Sequence, residues 1–230
     1  MISDLKGSTN TLESKHMNNL KIYLTSLLLL IFAGVMKAQD QLIPLNDIPG
    51  FRVKLEEMSK STTSIACDFV QEKNLVVLSE KIISHGVFFF RKENNIRWEY
   101  TRPYRYLIII SNGQLFTRDD RNQKLYDIES NRMFQEMNRF ISGCIQGDIL
   151  RNDKDYATEY FENSSMYFVK LVPRTEKMRE MLNEVQIWFD KKDLTVSGLK
   201  MVESGQDYTK IDFIDKKLNT DIPLEKFSFK

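Results

Sequence analysis

Histidine and cysteine occur only twice each in this 230-residue chain, which leaves little for nucleophilic or metal chemistry. His16 lies in an N-terminal stretch expected to be removed on export, so a Ser-His-Asp or Cys-His arrangement would rest on His85 alone. No group of His, Cys and acidic side chains has metal-ligand spacing. The nine glycines include no glycine-rich phosphate loop. Carboxylates fall on turns and outward strand positions, and periodicity brings no two of them into a shared apolar cleft. No catalytic residue, metal or cofactor is therefore expected, and the chain is not read as an enzyme. His85, beside Gly86, is read as a strand residue at a bulge.

An excess of charge of one sign is also missing. The formal net charge is +1. Removing residues 1–38 takes away Lys6, Lys15, Lys21, Lys37, Asp4 and Glu13 and leaves 29 basic against 30 acidic residues. A chain that close to neutrality has no electrostatic footprint for a polyanion, so RWEYTRPYRY reads as the outer face of a sheet and nucleic acid is excluded as a partner. Low-complexity tracts, internal repeats and long linkers are absent as well, so residues 39–230 read as one domain.

Long apolar runs are scarce with one exception. From Met17 the chain reads MNNLKIYLTSLLLLIFAGVMKAQDQ: a start carrying Lys21, an apolar run from Ile22 to Met36, then Ala38 before a polar stretch. That is the layout of a secretory signal peptide, and the run is short of the roughly 20 residues a spanning helix needs. The expectation is export with cleavage after Ala38. No cysteine lies near the cut to accept a lipid, and residues 1–16 have no signal character, which suggests Met17 as the true start. In an exported chain Cys67 and Cys144 either form a disulfide or serve as two buried thiols.

Aromatic and branched residues in period-two order are plentiful. Segments 64–77, 81–92, 95–101, 105–111, 114–119 and 124–128 alternate, and turn residues such as Asn94-Asn95, Arg102-Pro103 and Asn112-Gly113 join them, which predicts six strands in a meander. Alternation resumes over 156–162, 166–173, 183–190, 195–204 and 208–215, and IPLEKFSF reads as a final strand. Three helices are predicted. One follows Pro49 with Val53, Leu55 and Met58 as its apolar stripe, and a short one covers 176–182. The third spans 130–149 with Met133, Phe134, Met137, Phe140, Ile141, Cys144 and Ile145 on one face. The fold class is mainly β: a large antiparallel sheet that must curl, with an amphipathic helix covering its apolar face. Parity puts Phe88, Phe90, Ile96, Trp98, Tyr100, Ile108 and Ile110 on the concave side. Arg91, Arg97, Glu99 and Thr101 are placed on the convex side, which is expected to be polar.

The order of several short motifs resembles a known family. Phe69-x-Gln71, Gly86 before an aromatic-rich strand, Arg97-Trp98-x-Tyr100-x-x-Pro103 and an Asn112-Gly113 turn are similar to the outer-membrane lipoprotein carrier family, LolA, over about residues 50–215. DKKDLTVSGLKMVESGQDYTKIDF resembles the Bacteroides-type version. The resemblance implies a half-open barrel whose helical lid covers an apolar cavity. It also implies a monomeric periplasmic carrier of acylated lipoproteins, taking them from an inner-membrane ABC-type release complex to an outer-membrane receptor. The acyl chains would lie among Phe88, Phe90, Ile96, Trp98, Tyr100, Ile108 and Ile110, under the lid residues Phe134, Met137, Phe140 and Ile141. Family members carry Arg-Pro as a lid latch where this chain has Lys92-Glu93, so the latch role passes to Lys92, with Arg91 as a substitute. Two alternatives share the fold: a lipid- or lipoprotein-sensing regulatory module, and a carrier of another acylated product.

Overall fold

A computed structural model describes residues 41–130, 135, 143, 150, 154–180, 182–203 and 205–229. Helix α1 (Ile48–Ser61) starts where Asp47 accepts a hydrogen bond from Gly50 N at 2.9 Å with Pro49 in the first turn. It ends where Thr62 donates both N–H and Oγ to Met58 O. Its buried face is Phe51 and Leu55, with Met58 packed alongside. Val53, expected on that stripe, points to solvent. Positions 51, 55 and 58 follow the i, i+4, i+7 spacing of a helix face, and position 53 lies on the far side of the turn.

Among the described residues twelve strands form one antiparallel sheet: β1 (Ile43–Pro44), β2 (Ser64–Asn74), β3 (Ile82–Arg91), β4 (Asn95–Arg102), β5 (Tyr106–Ser111), β6 (Gln114–Arg118), β7 (Gln123–Asp127), β8 (Tyr156–Glu162), β9 (Met166–Pro173), β10 (Leu182–Asp190), β11 (Val196–Glu203) and β12 (Tyr208–Leu218). The order is β1-β8-β9-β10-β11-β12-β2-β3-β4-β5-β6-β7. The two meanders predicted from alternation join where β12 pairs with β2. The end strands β1 and β7 do not pair, so the curled sheet is a half-open barrel. Asn112 and Gly113, at φ 51° and 73°, make the tight turn between β5 and β6. The β3–β4 register shifts between His85 and Gly86, the expected bulge. The helix α2 (Glu176–Arg179) is a single turn.

Facing partners in a sheet share a side. On the concave side one row runs Val169, Ile187, Leu199, Ile211, and another runs Ile65, Phe90, Ile96, Ile110, Leu115. Val169, Ile187 and Leu199 of the first row belong to a cluster closed by α1 through Phe51 and Leu55, most of whose members lie in β8–β11, while Ile211 packs with the second row. The second belongs to a cluster centred on β2–β5.

The convex side differs from its expected polarity. Arg91, Arg97 and Glu99 are there, but Phe89, Leu107, Ile109 and Phe116 form an apolar patch among them. The patch is covered by Ile222, Phe227 and Phe229 of the C-terminal segment. That segment is not the expected strand: Leu224–Phe227 is a 3-10 turn. β12 is already flanked by β11 and β2, so the chain after it has no neighbouring edge to extend, and Pro223 removes a backbone donor. The segment crosses the outside instead. Ser64 Oγ donates to Thr220 O and Arg97 Nη1 to Lys226 O, at 2.5 and 3.1 Å.

Candidate lipid-binding face

Below β2–β5 the concave face is a cluster of aromatic rings whose arrangement depends on a glycine. A Cβ at Gly86 would meet Phe69 Cζ at 2.5 Å and Glu99 O at 2.1 Å. Its absence lets the Phe69 ring lie across strand β3. Phe69 then stands edge-on to Trp98 and to Tyr100, both at 5.1 Å between centroids. Phe88 contacts Trp98 at 5.2 Å, and Phe213 of β12 closes the ring at 5.8 Å from Phe88 and 6.0 Å from Trp98.

All seven strand residues expected on this side are in the one cluster. Phe88, Phe90, Ile96 and Ile110 are fully buried, while Trp98, Tyr100 and Ile108 are partly exposed. Phe134, Met137, Phe140 and Ile141, expected above them, lie outside the described residues. Within that predicted helix Gln135 and Gly143 are described, and both are helical. The cluster also takes in residues outside that set, among them Ile65, Cys67, Phe69, Leu115 and Phe213. Phe213 had a usable signal in the alternation Ile211-x-Phe213, and Phe69 stood in the motif that suggested the family.

Polar groups on this face are few. Tyr100 donates its hydroxyl to Gln71 Oε1 at 2.9 Å, which accounts for the glutamine two residues after Phe69. Burial pushes the Tyr100 phenol up to about 12, helped by Tyr104 and Tyr106. Burial also pushes the Cys67 thiol up to about 12 against the attraction of Lys216. Cys67 is a free thiol that behaves as a small hydrophobe, and Cys144 lies outside the described residues. Among the described residues, Trp98 Nε1 and Ser84 Oγ are buried without a hydrogen-bond partner. Such orphaned donors are rare in a finished core.

The two latch candidates separate by parity. Lys92 donates Nζ to Lys60 O in the last turn of α1 and its backbone N to Thr63 O at 2.8 Å. A cation there satisfies one of the carbonyls a helix end leaves open and complements its dipole. Beside it opens a cleft of about 400 Å³ lined by Ser59, Lys60, Thr62, Phe90, Lys92, Glu93 and Asn94. Arg91 is on the other side of the sheet. Its Nη1 donates to Ile222 O at 2.7 Å, so in this structure it pins the C-terminal segment.

Comparison with known proteins bears on this geometry. A family model described as outer membrane lipoprotein carrier protein LolA matches residues 60–230. The chain is 22% identical over 176 residues to an outer-membrane lipoprotein carrier protein of Methylococcus capsulatus, covering 76% of this chain and 81% of that protein. Among solved structures it is similar in fold to the MucA/MucB complex of Pseudomonas aeruginosa (TM-score 0.50, 11% identity, 80% of this chain and 61% of that one). It also matches a LolA superfamily protein of Nitrosomonas europaea (TM-score 0.40, 11% identity, 78% and 96%).

Proposed function

Since the chain belongs to the outer membrane lipoprotein carrier (LolA) family, we propose that it is a periplasmic carrier that shields the acyl chains of lipoproteins between the inner and the outer membrane. On this reading it leaves the cytoplasm through a cleaved signal peptide, works as a monomer, accepts cargo from an ABC-type release complex and yields it to an outer-membrane receptor. It performs no covalent chemistry.

The observation that carries the proposal is the unfinished state of the aromatic half of the concave face. Trp98, Tyr100 and Ile108 keep partial exposure in the midst of fully buried neighbours. Each methylene transferred from water onto such a surface contributes about 0.8 kcal/mol, so an acylated protein crosses water only with its chains covered. A face that retained every methylene at that value would never release them. Release requires the closed, empty carrier to be stable in its own right. The Lys92 bond to the end of α1 supplies part of that stability and acts as the latch of the closed state. The likeness to MucB, at 11% identity, concerns the fold and does not favour a regulatory module.

The test is mass spectrometry of what copurifies with the protein from its native envelope. Triacylated peptides are the expected result. A bound pigment or glycolipid would move the proposal to another acylated product, and an empty protein that also fails to bind an acylated peptide would end it.

A further inference from the structure

The most exposed apolar surface among the described residues is at the tip of the β2–β3 hairpin, away from the aromatic face. Val76, Val77 and Leu78 are 61%, 89% and 47% exposed, and Ile82 and Ile83 are 37% and 42% exposed. Ile82 and Ile83 pair with Lys73 and Glu72. As adjacent strand residues they point to opposite faces of the hairpin. The apolar side chains thus surround the tip.

The tip has a defined shape. Val76 N donates to Asp207 Oδ1 at 2.6 Å, tying it to the neighbouring β11–β12 hairpin, and Leu78 N donates to Leu75 O at 2.8 Å. Behind it stands a ring of paired charges: Lys81 with Glu72 at 2.9 Å and Lys73 with Glu203 at 3.7 Å. At the same level Tyr208, which pairs with Asn74, donates its hydroxyl to Glu72 at 2.6 Å, and Lys200 Nζ lies 4.2 Å from its ring. An aromatic ring with a wet hydroxyl at a boundary between apolar and charged surface is the arrangement found at membrane interfaces.

We propose that this hairpin tip inserts into the interfacial layer of a lipid bilayer with little net charge at its surface. A groove on a partner protein covers one side of a ridge, whereas these side chains face outward on every side, which suits a medium that surrounds them. Lys73, Lys81 and Lys200 at the rim stand against Glu72, Glu80, Glu203 and Asp207, which leaves no excess of positive charge to draw an anionic surface, so the affinity comes from apolar area. The tip lies at the end of β2 opposite the Lys92 bond, roughly 33 Å away at 3.3 Å per residue. A carrier docked by the tip therefore keeps the Lys92 end of the sheet free. This goes beyond the carrier reading and does not depend on what the concave face holds.

The test is cosedimentation of the full chain with phosphatidylcholine vesicles, comparing wild type with the triple variant Val76→Ser, Val77→Ser, Leu78→Ser. The expected result is a loss of at least about tenfold in partitioning, insensitive to salt, with melting temperature and binding of an acylated peptide unchanged. A Val77→Trp variant reports location: its emission difference from wild type should shift to the blue with vesicles and be quenched by brominated phosphatidylcholine. Equal partitioning of wild type and triple variant would overturn the proposal, as would a difference emission that stays aqueous while the chain sediments. Sedimentation that needs anionic lipid and vanishes in salt, or a tip protected only by another envelope protein, would also overturn it. A chain that holds the acylated peptide but ignores vesicles would sink the docking tip and leave the carrier reading in place.

Discussion

The two halves of the concave face are made from the same kind of alternating strand, yet they are finished differently. Under α1 the side chains are mostly aliphatic, and Val169, Leu171, Val185, Ile187 and Phe189 are each 0% exposed. Phe51 of the helix reaches into them, 4.5 Å from Tyr167 and 5.7 Å from Phe189 between ring centroids. Under the β2–β5 half aromatic and aliphatic side chains mix, Trp98, Tyr100, Ile108 and Phe213 are among those that stay partly exposed, and two buried donors, Trp98 Nε1 and Ser84 Oγ, have no partner. Native interiors are packed like crystals and leave few polar atoms unpaired. Both clusters carry partly buried side chains at their margins, so the unpaired donors Trp98 Nε1 and Ser84 Oγ are what set the second half apart, and on the carrier proposal that half is the surface that receives something apolar. On that proposal the same domain keeps its stability in one half and its binding in the other.

Charge insertion is the harshest way to break that division. Ile187→Glu should abolish folding, because an unpaired carboxylate in the completed half costs several kcal/mol. Ile108→Glu, in the half-open half, should leave a cooperative thermal melt and remove binding of an acylated peptide. If both variants unfold alike, the two halves are one core. Next in size, Phe51→Ala should cost about 3–5 kcal/mol, read from denaturant midpoints, with α1 losing its anchor.

Alkali should act mainly on the aromatic half. The Cys67 thiol and the Tyr100 phenol are raised from 9.0 and 10.0 to about 12 in the folded protein. The folded state therefore holds these protons more tightly than the unfolded chain. Their contribution is fully present below pH 9 and falls away as pH rises from 9 toward 12. Melting temperature should decline across that window, and Cys67→Ala should flatten the decline. An unchanged profile in that variant would show that Cys67 is not buried as described.

The smallest effect is expected at the latch. Lys92→Met removes the bond to Lys60 O and should favour the open lid, tightening acylated-peptide binding by about three- to tenfold, while Lys92→Arg restores it. Affinity that weakens in Lys92→Met would mean that Lys92 holds cargo and does not restrain the lid.

Most of the sheet was legible because period-two alternation fixes both the strands and the side each residue faces. Phe88, Phe90, Ile96, Trp98 and Tyr100 came out on one side for that reason alone. What escaped was decided by tertiary contacts or overlooked in the pattern. Leu107, Ile108, Ile109 and Ile110 are four apolar residues in succession, and such a run marks a strand buried on both faces. The convex patch was written there and went unread because β4, with Arg97 and Glu99, alternates cleanly. Once that patch is known, IPLEKFSF makes sense as its cover. Nothing local distinguishes that use of Ile222 and Phe227 from a strand. Arg91 followed the same rule as its neighbours, since one residue past Phe90 it must face outward. The Lys92 bond to α1 depends on where the helix ends in space, which no spacing in the sequence reports.

The most direct measurement is the emission of Trp98 in a chain carrying Trp188→Phe, titrated with an acylated peptide. Trp188 pairs with Gly198 and Phe168 on the convex side, away from the aromatic cluster. If the aromatic half receives acyl chains, the Trp98 indole, now touching Phe69, Phe88 and Phe213, changes neighbours on binding, and its emission should shift saturably in step with an independent binding assay. Emission that stays constant while the independent assay saturates would place the cargo elsewhere and contradict the division between the two halves.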